Sequence, residues 1–95
     1  MAGYVIAICN KTTDASEMEK YIAKARPVLP HDAEILSAYG RHKMLEGDAA
    51  EGIVILRFPT FDAALSWYNS QAYQEARKHR FAGADYRFMV VEGVA

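Results

Sequence analysis

Six apolar residues in a row, Tyr4 to Cys9, stand near the start of the chain, and the run is continuous rather than alternating. Successive side chains of a strand point to opposite sides of a sheet, so such a run reads as a strand shielded on both faces. The first strand is placed between Gly3 and Asn10. Lys11-Thr12-Thr13 is a polar link, and Asp14 followed by Glu17 has the spacing of a capping box, which starts a helix. In that helix Met18, Tyr21, Ile22 and Ala25 fall at i, i+3, i+4 and i+7, with Glu17, Glu19, Lys20 and Lys24 off the stripe. One face is therefore covered and the other solvated. Pro27 ends the helix.

The next apolar stretch, Ala33 to Tyr39, predicts a strand with a bulge or bend at Gly40 and a continuation through Arg41 to Glu46. Gly47 to Gly52 is turn-rich, and Ile53 to Phe58 is a second continuous apolar run, so these two strands pair as an antiparallel hairpin. After Pro59, Thr60 caps a helix whose stripe is Phe61, Ala64, Leu65 and Tyr68. Asn69-Ser70 closes that helix and caps another, on which Tyr73, Ala76, Arg77 and Arg80 recur at helical spacing. Gly83 to Asp85 turns the chain, and Tyr86 to Glu92 is the last strand. The order β-α-β-β-α-β predicts an α+β, ferredoxin-like domain spanning residues 1–95, a four-stranded antiparallel sheet with its helices on one face.

That arrangement leaves a sheet face open. Tyr4, Ile6 and Ile8 alternate with Val5, Ala7 and Cys9, and the other two apolar strands show the same two-sided pattern. An exposed apolar face of that extent is larger than monomers usually carry, so a second copy packed sheet to sheet is expected to cover it. Composition points the same way. A domain of 95 residues buries only about two-thirds of its unfolded surface, yet 52% of this chain is hydrophobic, with six Tyr, four Phe and one Trp.

Charge and motif narrow the function. Eleven Lys plus Arg against twelve Asp plus Glu give a net charge of −1, which provides no basic field for nucleic acid. Cys9 is the single cysteine and His31, His42 and His79 are scattered, so no metal site is expected. No phosphate loop, nucleophile elbow or haem-ligand cluster appears, and no cofactor is expected. Met1 to Asn10 lacks a secretory pattern and no apolar run reaches the roughly 18 residues of a membrane span, which predicts a cytoplasmic protein without membrane contact.

The densest chemistry runs from Trp67 to Arg80. Tyr73 and Arg80 lie on one helical face, roughly 10 Å apart along the axis, and a small organic acid can bridge a hydroxyl and a guanidinium fork. Trp67 and Tyr68 would wall its apolar body, and Asn69 and Ser70 either donate to it or cap the helices. His42 has the residue type of a general base but sits in the solvated run Arg41-His42-Lys43. Glu46 and Asp48 flank Gly47 as turn residues, and Cys9 reads as inert packing in an apolar strand. Two function classes remain open. One is a homodimeric small-molecule-binding protein, extending to a cofactor-independent enzyme acting on a small organic acid. The other is a non-catalytic structural or interaction domain whose aromatic helix serves packing only.

Gly3-Tyr4, Leu45-Glu46-Gly47, Phe58-Pro59, Ala63-Ala64 with Trp67-Tyr68, then Ser70, Tyr73, Arg80 and the closing Val91-Glu92-Gly93-Val94 together carry a family resemblance over essentially the whole chain. The sequence resembles the domain-of-unknown-function family numbered thirteen-thirty, of the dimeric α/β-barrel superfamily. It departs from that pattern at Asp32-Ala33, at Tyr39 before Gly40, and at Arg57. The resemblance implies a homodimer with a cleft between each sheet and its helices or loops. It also implies a superfamily that includes small monooxygenases, isomerases of aromatic catabolism and haem-binding branches. It implies no particular reaction, because folds of this kind host many.

Overall fold

The computed structural model describes residues 1–94. The chain forms strands β1 (Gly3–Thr12), β2 (Glu34–Ala38), β3 (Gly52–Phe58) and β4 (Ala84–Glu92). Its helices are α1 (Ala15–Ala25), α2 (Phe61–Asn69) and α3 (Gln71–Gly83), with a 3-10 turn at Arg26–Val28. The strands lie in the order β2-β3-β1-β4 and each neighbouring pair is antiparallel, as expected of a ferredoxin-like sheet. The thinnest extent of the molecule is 17 Å, which accommodates one sheet and one helical layer.

Register sorts the apolar residues into two faces. Leu56–Val5–Val90 and Val54–Ala7–Phe88 form rows beneath the helices, where Val5, Leu56 and Phe58 join Ala64, Trp67 and Tyr73 in the core. Ile55–Ile6–Met89 and Ile53–Ile8–Arg87 form rows on the opposite face, and there Ile6, Ile8, Ile53 and Ile55 are only half-buried. Within one chain the run Tyr4 to Cys9 is thus dry on one side and partly wet on the other.

Three local expectations are corrected. The irregularity in β2 lies between Ile35 and Ser37 rather than at Gly40, and residues 41–46 form no strand. The cause is Tyr39, whose φ of 56° takes the backbone out of the extended region; its N–H makes a last bond to the Ile53 carbonyl at 2.9 Å. On α2, Leu65 is 37% exposed whereas Trp67 is 7% exposed. The indole buries more apolar area than a leucine and sets which side of the helix meets the sheet.

The helix ends follow the sequence closely, with one substitution of partners. Asp14 accepts from the N–H groups of Ser16 (3.0 Å) and Glu17 (3.3 Å), but Glu17 does not return the capping-box bond. Its carboxylate takes His79 Nδ1 at 2.7 Å and Lys20 Nζ at 3.2 Å, while the Asp14 N–H donates to the Gly83 carbonyl at 3.0 Å. A Cβ on Gly83 would overlap the Asp14 carbonyl and the Glu17 side chain. These contacts clip α1 to α3, and α1 packs along α3 rather than down on the sheet. Ser70 serves both neighbouring helices: its hydroxyl donates to the Trp67 carbonyl (2.8 Å) and accepts from the Tyr73 N–H (3.2 Å).

Two outcomes are expected. Ser70→Ala removes a cap, which typically costs about 1 kcal/mol, and at this chain length lowers Tm by about 4–8 °C, measurable by thermal denaturation. Asp14 and Glu17 are held below their ordinary carboxyl values of 3.8 and 4.5, Asp14 first by the Ser16 hydroxyl and Glu17 first by His79. A depressed native pKa gives stability that is complete above the unfolded value and is lost as pH falls through the native one. Urea midpoints should therefore drop as pH falls below about 4, and Glu17→Gln should make that drop shallower.

Candidate functional site

A cavity of about 260 Å³ lies between α1 and the sheet. Tyr21, Ile22 and Ala25 line it from α1, with Arg26 and Leu29 just beyond the helix. Val5 and Ala7 of β1, Val54 and Leu56 of β3, and Phe88 of β4 form its floor. Ile35, Ala38, Tyr39, Trp67 and Tyr86 complete the walls. Alanines at 7, 25 and 38 keep the space open, because a larger side chain at any of them would fill it. The lining is mainly apolar with a few polar groups, the usual make-up of a small-molecule site.

Behind three of those walls lies Arg80, only 2% exposed. Its guanidinium carbon is 4.5 Å from the ring centroid of Phe88, 5.2 Å from those of Tyr86 and Phe81, and 5.9 Å from that of Tyr21. Its Nε and Nη2 are buried without a hydrogen-bond partner, as is Nε1 of Trp67. No carboxylate pairs with Arg80 among the described residues. Arginine cannot shed its proton in a protein, and an unpaired buried charge costs several kcal/mol. The aromatic faces offset part of that cost, at about 0.5–2 kcal/mol per contact. Three donor nitrogens remain without a partner, and the Tyr73 hydroxyl is a neighbouring acceptor for the guanidinium.

Tyrosine hydroxyls supply the other polarity. Tyr21 and Tyr73 share a hydroxyl–hydroxyl bond of 2.9 Å, and Tyr39 and Tyr86 one of 2.6 Å. Burial pushes the pKa of Tyr21, Tyr73 and Tyr86 upwards, so these groups are neutral hydrogen-bonding partners and not phenolate bases. Tyr39 is unusual in its backbone as well, since a left-handed conformation costs a side-chain-bearing residue about 1–2 kcal/mol. Its ring rests on Gly52, where a Cβ would overlap it, and the absence of that Cβ gives the ring its seat.

The residues singled out in the sequence divide into groups. Trp67 lines the cavity and Arg80 lies behind its wall. Tyr73 is fully buried, packed on Trp67 at 4.3 Å between ring centroids, and reaches the cavity only through its bond to Tyr21. Tyr68 accepts from Arg77 Nη1 at 3.1 Å, Ser70 is engaged in capping and Asn69 is exposed; none of the three lines the space. His42, exposed and bonded to the Ala50 carbonyl at 3.0 Å, does not line it, nor does Glu46. Sequence reasoning missed Arg26, Tyr39, Tyr86 and Phe88 as site residues. Tyr86 and Phe88 share the period-2 pattern of β4 with Val90, a signal of facing but not of function.

A four-stranded antiparallel sheet with helices over one face makes this chain an α+β protein of ferredoxin-like fold. More narrowly, the chain belongs to the family described as domain of unknown function (DUF1330), whose model matches residues 2–94. No curated protein matches it. A protein of unknown function from Rhodopseudomonas palustris is similar over 99% of this chain and 83% of its own, with a TM-score of 0.77 and 19% identity. A dimeric protein of unknown function with a ferredoxin-like fold from Bacteroides fragilis is similar over 97% and 96%, with a TM-score of 0.55 and 11% identity. SnoaB, a cofactor-independent oxygenase from Streptomyces nogalater seen as a mutant, is similar over 99% and 93%, with a TM-score of 0.60 and 7% identity. At these identities the likeness carries the fold alone. Among the described residues no helix is long and apolar enough to cross a membrane, and no group of three or more His, Cys, Asp or Glu is placed to hold a metal ion.

Among the described residues Arg80 makes no ion pair, so an apolar residue of similar length should leave the unliganded fold at least as stable. Arg80→Met is expected to be neutral or to gain up to about 2 kcal/mol in urea denaturation, as replacements of buried charge often do.

Proposed function

We propose that the cavity binds a small organic anion, a carboxylate bearing an aromatic or alicyclic body. The observation that carries this reading is the buried guanidinium of Arg80 with two unpartnered nitrogens. A carboxylate matches the planar fork of arginine and would satisfy these donors once an aromatic ring of the wall between Arg80 and the cavity, Tyr21, Tyr86 or Phe88, moves aside. Electrostatics supports the same sign of ligand: Arg26 stands exposed on the cavity lining, and no Asp or Glu is among the described lining residues. The apolar walls suit the body of the ligand, and the volume suits a small one.

Binding is favoured over turnover, because the described lining offers no histidine or carboxylate to act as a base. Cofactor-independent chemistry on the same acid would rest on orientation and on N–H donors that polarise the ligand. Packing as the sole role of the aromatic helix is the weaker reading, since a purely structural arginine would be expected to hold an internal carboxylate. We further propose a homodimer through the open sheet face. Tyr4, Ile6, Ile8, Ile53, Ile55, Met89 and Val91 make that face apolar, with Glu34, Arg57 and Arg87 among its charged groups. A cytoplasmic setting fits the buried free thiol of Cys9.

Phenylacetate and its uncharged counterpart 2-phenylethanol separate charge from shape. Phenylacetate should stabilise the protein in a thermal-shift titration, by about 2.7 kcal/mol at a hundredfold excess over Kd, and more than the alcohol does. Arg80→Met should abolish that difference; equal stabilisation by both compounds in the native sequence would remove the anion site. For the dimer, sedimentation at micromolar concentration should give twice the chain mass of 10.6 kDa, and Ile6→Arg should give the single chain mass.

A further inference from the structure

A second cavity, of about 210 Å³, lies next to the first and is lined by Cys9, Thr12, Met18 and Glu51, among others. The two share three wall residues, Ile22, Tyr39 and Tyr86. The sheet register explains how a partition arises between them. Gly52, Cys9 and Tyr86 are direct cross-strand partners and form one row on the helix side of the sheet. The two inner members of that row are small, so nothing from β1 or β3 rises to divide the space. Tyr39 fills it instead. Its ring rests on Gly52, and its hydroxyl meets that of Tyr86 at 2.6 Å over the row.

We infer that Tyr39 is the residue that sets ligand length in this site, by closing a partition with Tyr86 between the anion-binding cavity and a second chamber. The inference rests on the proposed small-molecule site and adds to it which molecules fit. With the partition closed, the site takes short, compact acids. With Tyr39 displaced, the two chambers join and an elongated ligand fits, its far end neutral because Glu51 lines the second chamber. Tyr39 is suited to such a role by position. It is 48% exposed, it follows the last residue of β2, and its left-handed φ of 56° holds the ring over Gly52. Glycine at this position would relax the backbone while removing the ring, so its replacement changes the partition and spares the fold.

The test compares two homologous series by thermal shift on the full chain: ω-phenylalkanoates from benzoate to 6-phenylhexanoate, and the matching uncharged ω-phenylalkanols. The native protein should bind the short members best. Tyr39→Gly should move the optimum by two or more methylenes and tighten binding of the longest members at least fivefold. Gly52→Ala, which keeps Tyr39 but takes away the seat of its ring, should move the optimum in the same direction. An unchanged length profile in both variants and both series overturns the inference. If the acids fail to bind the native protein while the alcohols bind and their optimum shifts, the partition stands and the anion reading falls.

Discussion

A buried positive charge with no counter-charge among the described residues is the constraint around which the helix side of this sheet is arranged. Arg80 is held inside α3 by aromatic faces from Tyr21, Phe81, Tyr86 and Phe88, with two of its nitrogens unbonded. Folding this group away from water works against stability unless something compensates for it. Aromatic contact compensates in part, and a bound carboxylate would supply the rest. The strain recorded at Tyr39 belongs to the same region. A buried unpaired charge and an unfavourable backbone, both bordering one cavity, form a pattern that packing alone does not require.

The cavity exists because of how α1 is fastened. Glu17 to His79, and the Thr13 and Asp14 N–H groups to the Gly83 carbonyl, tie the start of α1 to the end of α3. With that end fixed to a helix and not to the sheet, the far half of α1 overhangs β1 and β3, and short side chains beneath it leave room. The opposite side of the sheet follows another logic. There the rows centred on Ile6 and Ile8 lack a covering layer among the described residues, and the proposed pairing of two copies would bury them.

Much of the fold was legible because its signals are local. Asp14, Thr60 and Ser70 cap the helices the sequence assigned them, since a short polar side chain two or three residues before an unsatisfied N–H has few other uses. The continuous apolar runs at Tyr4 to Cys9 and Ile53 to Phe58 became the central strands, their two-sidedness reflecting a sheet with two apolar faces. The left-handed turn at Tyr39 was not legible. Its cause is the missing Cβ of Gly52 on another strand and the hydroxyl of Tyr86 at the far side of the sheet, neither of which leaves a mark near residue 39.

The cavity was less legible, because its lining comes from residues far apart in the chain. Residue type marked Tyr73 and Arg80 as able to hold an acid and Trp67 as a wall for its body, but whether a guanidinium is free depends on where every carboxylate ends up, which only the folded chain decides. Tyr68 and Ser70 looked like ligand groups and are occupied by Arg77 and by helix caps, local partners that spacing alone does not reveal. The most direct measurement of the central claim is the Nε–H resonance of Arg80 in a nitrogen-edited NMR titration with phenylacetate. A saturable downfield shift of that proton is expected, as an unbonded donor acquires a carboxylate. Saturation of binding with the Arg80 resonance unmoved would contradict it.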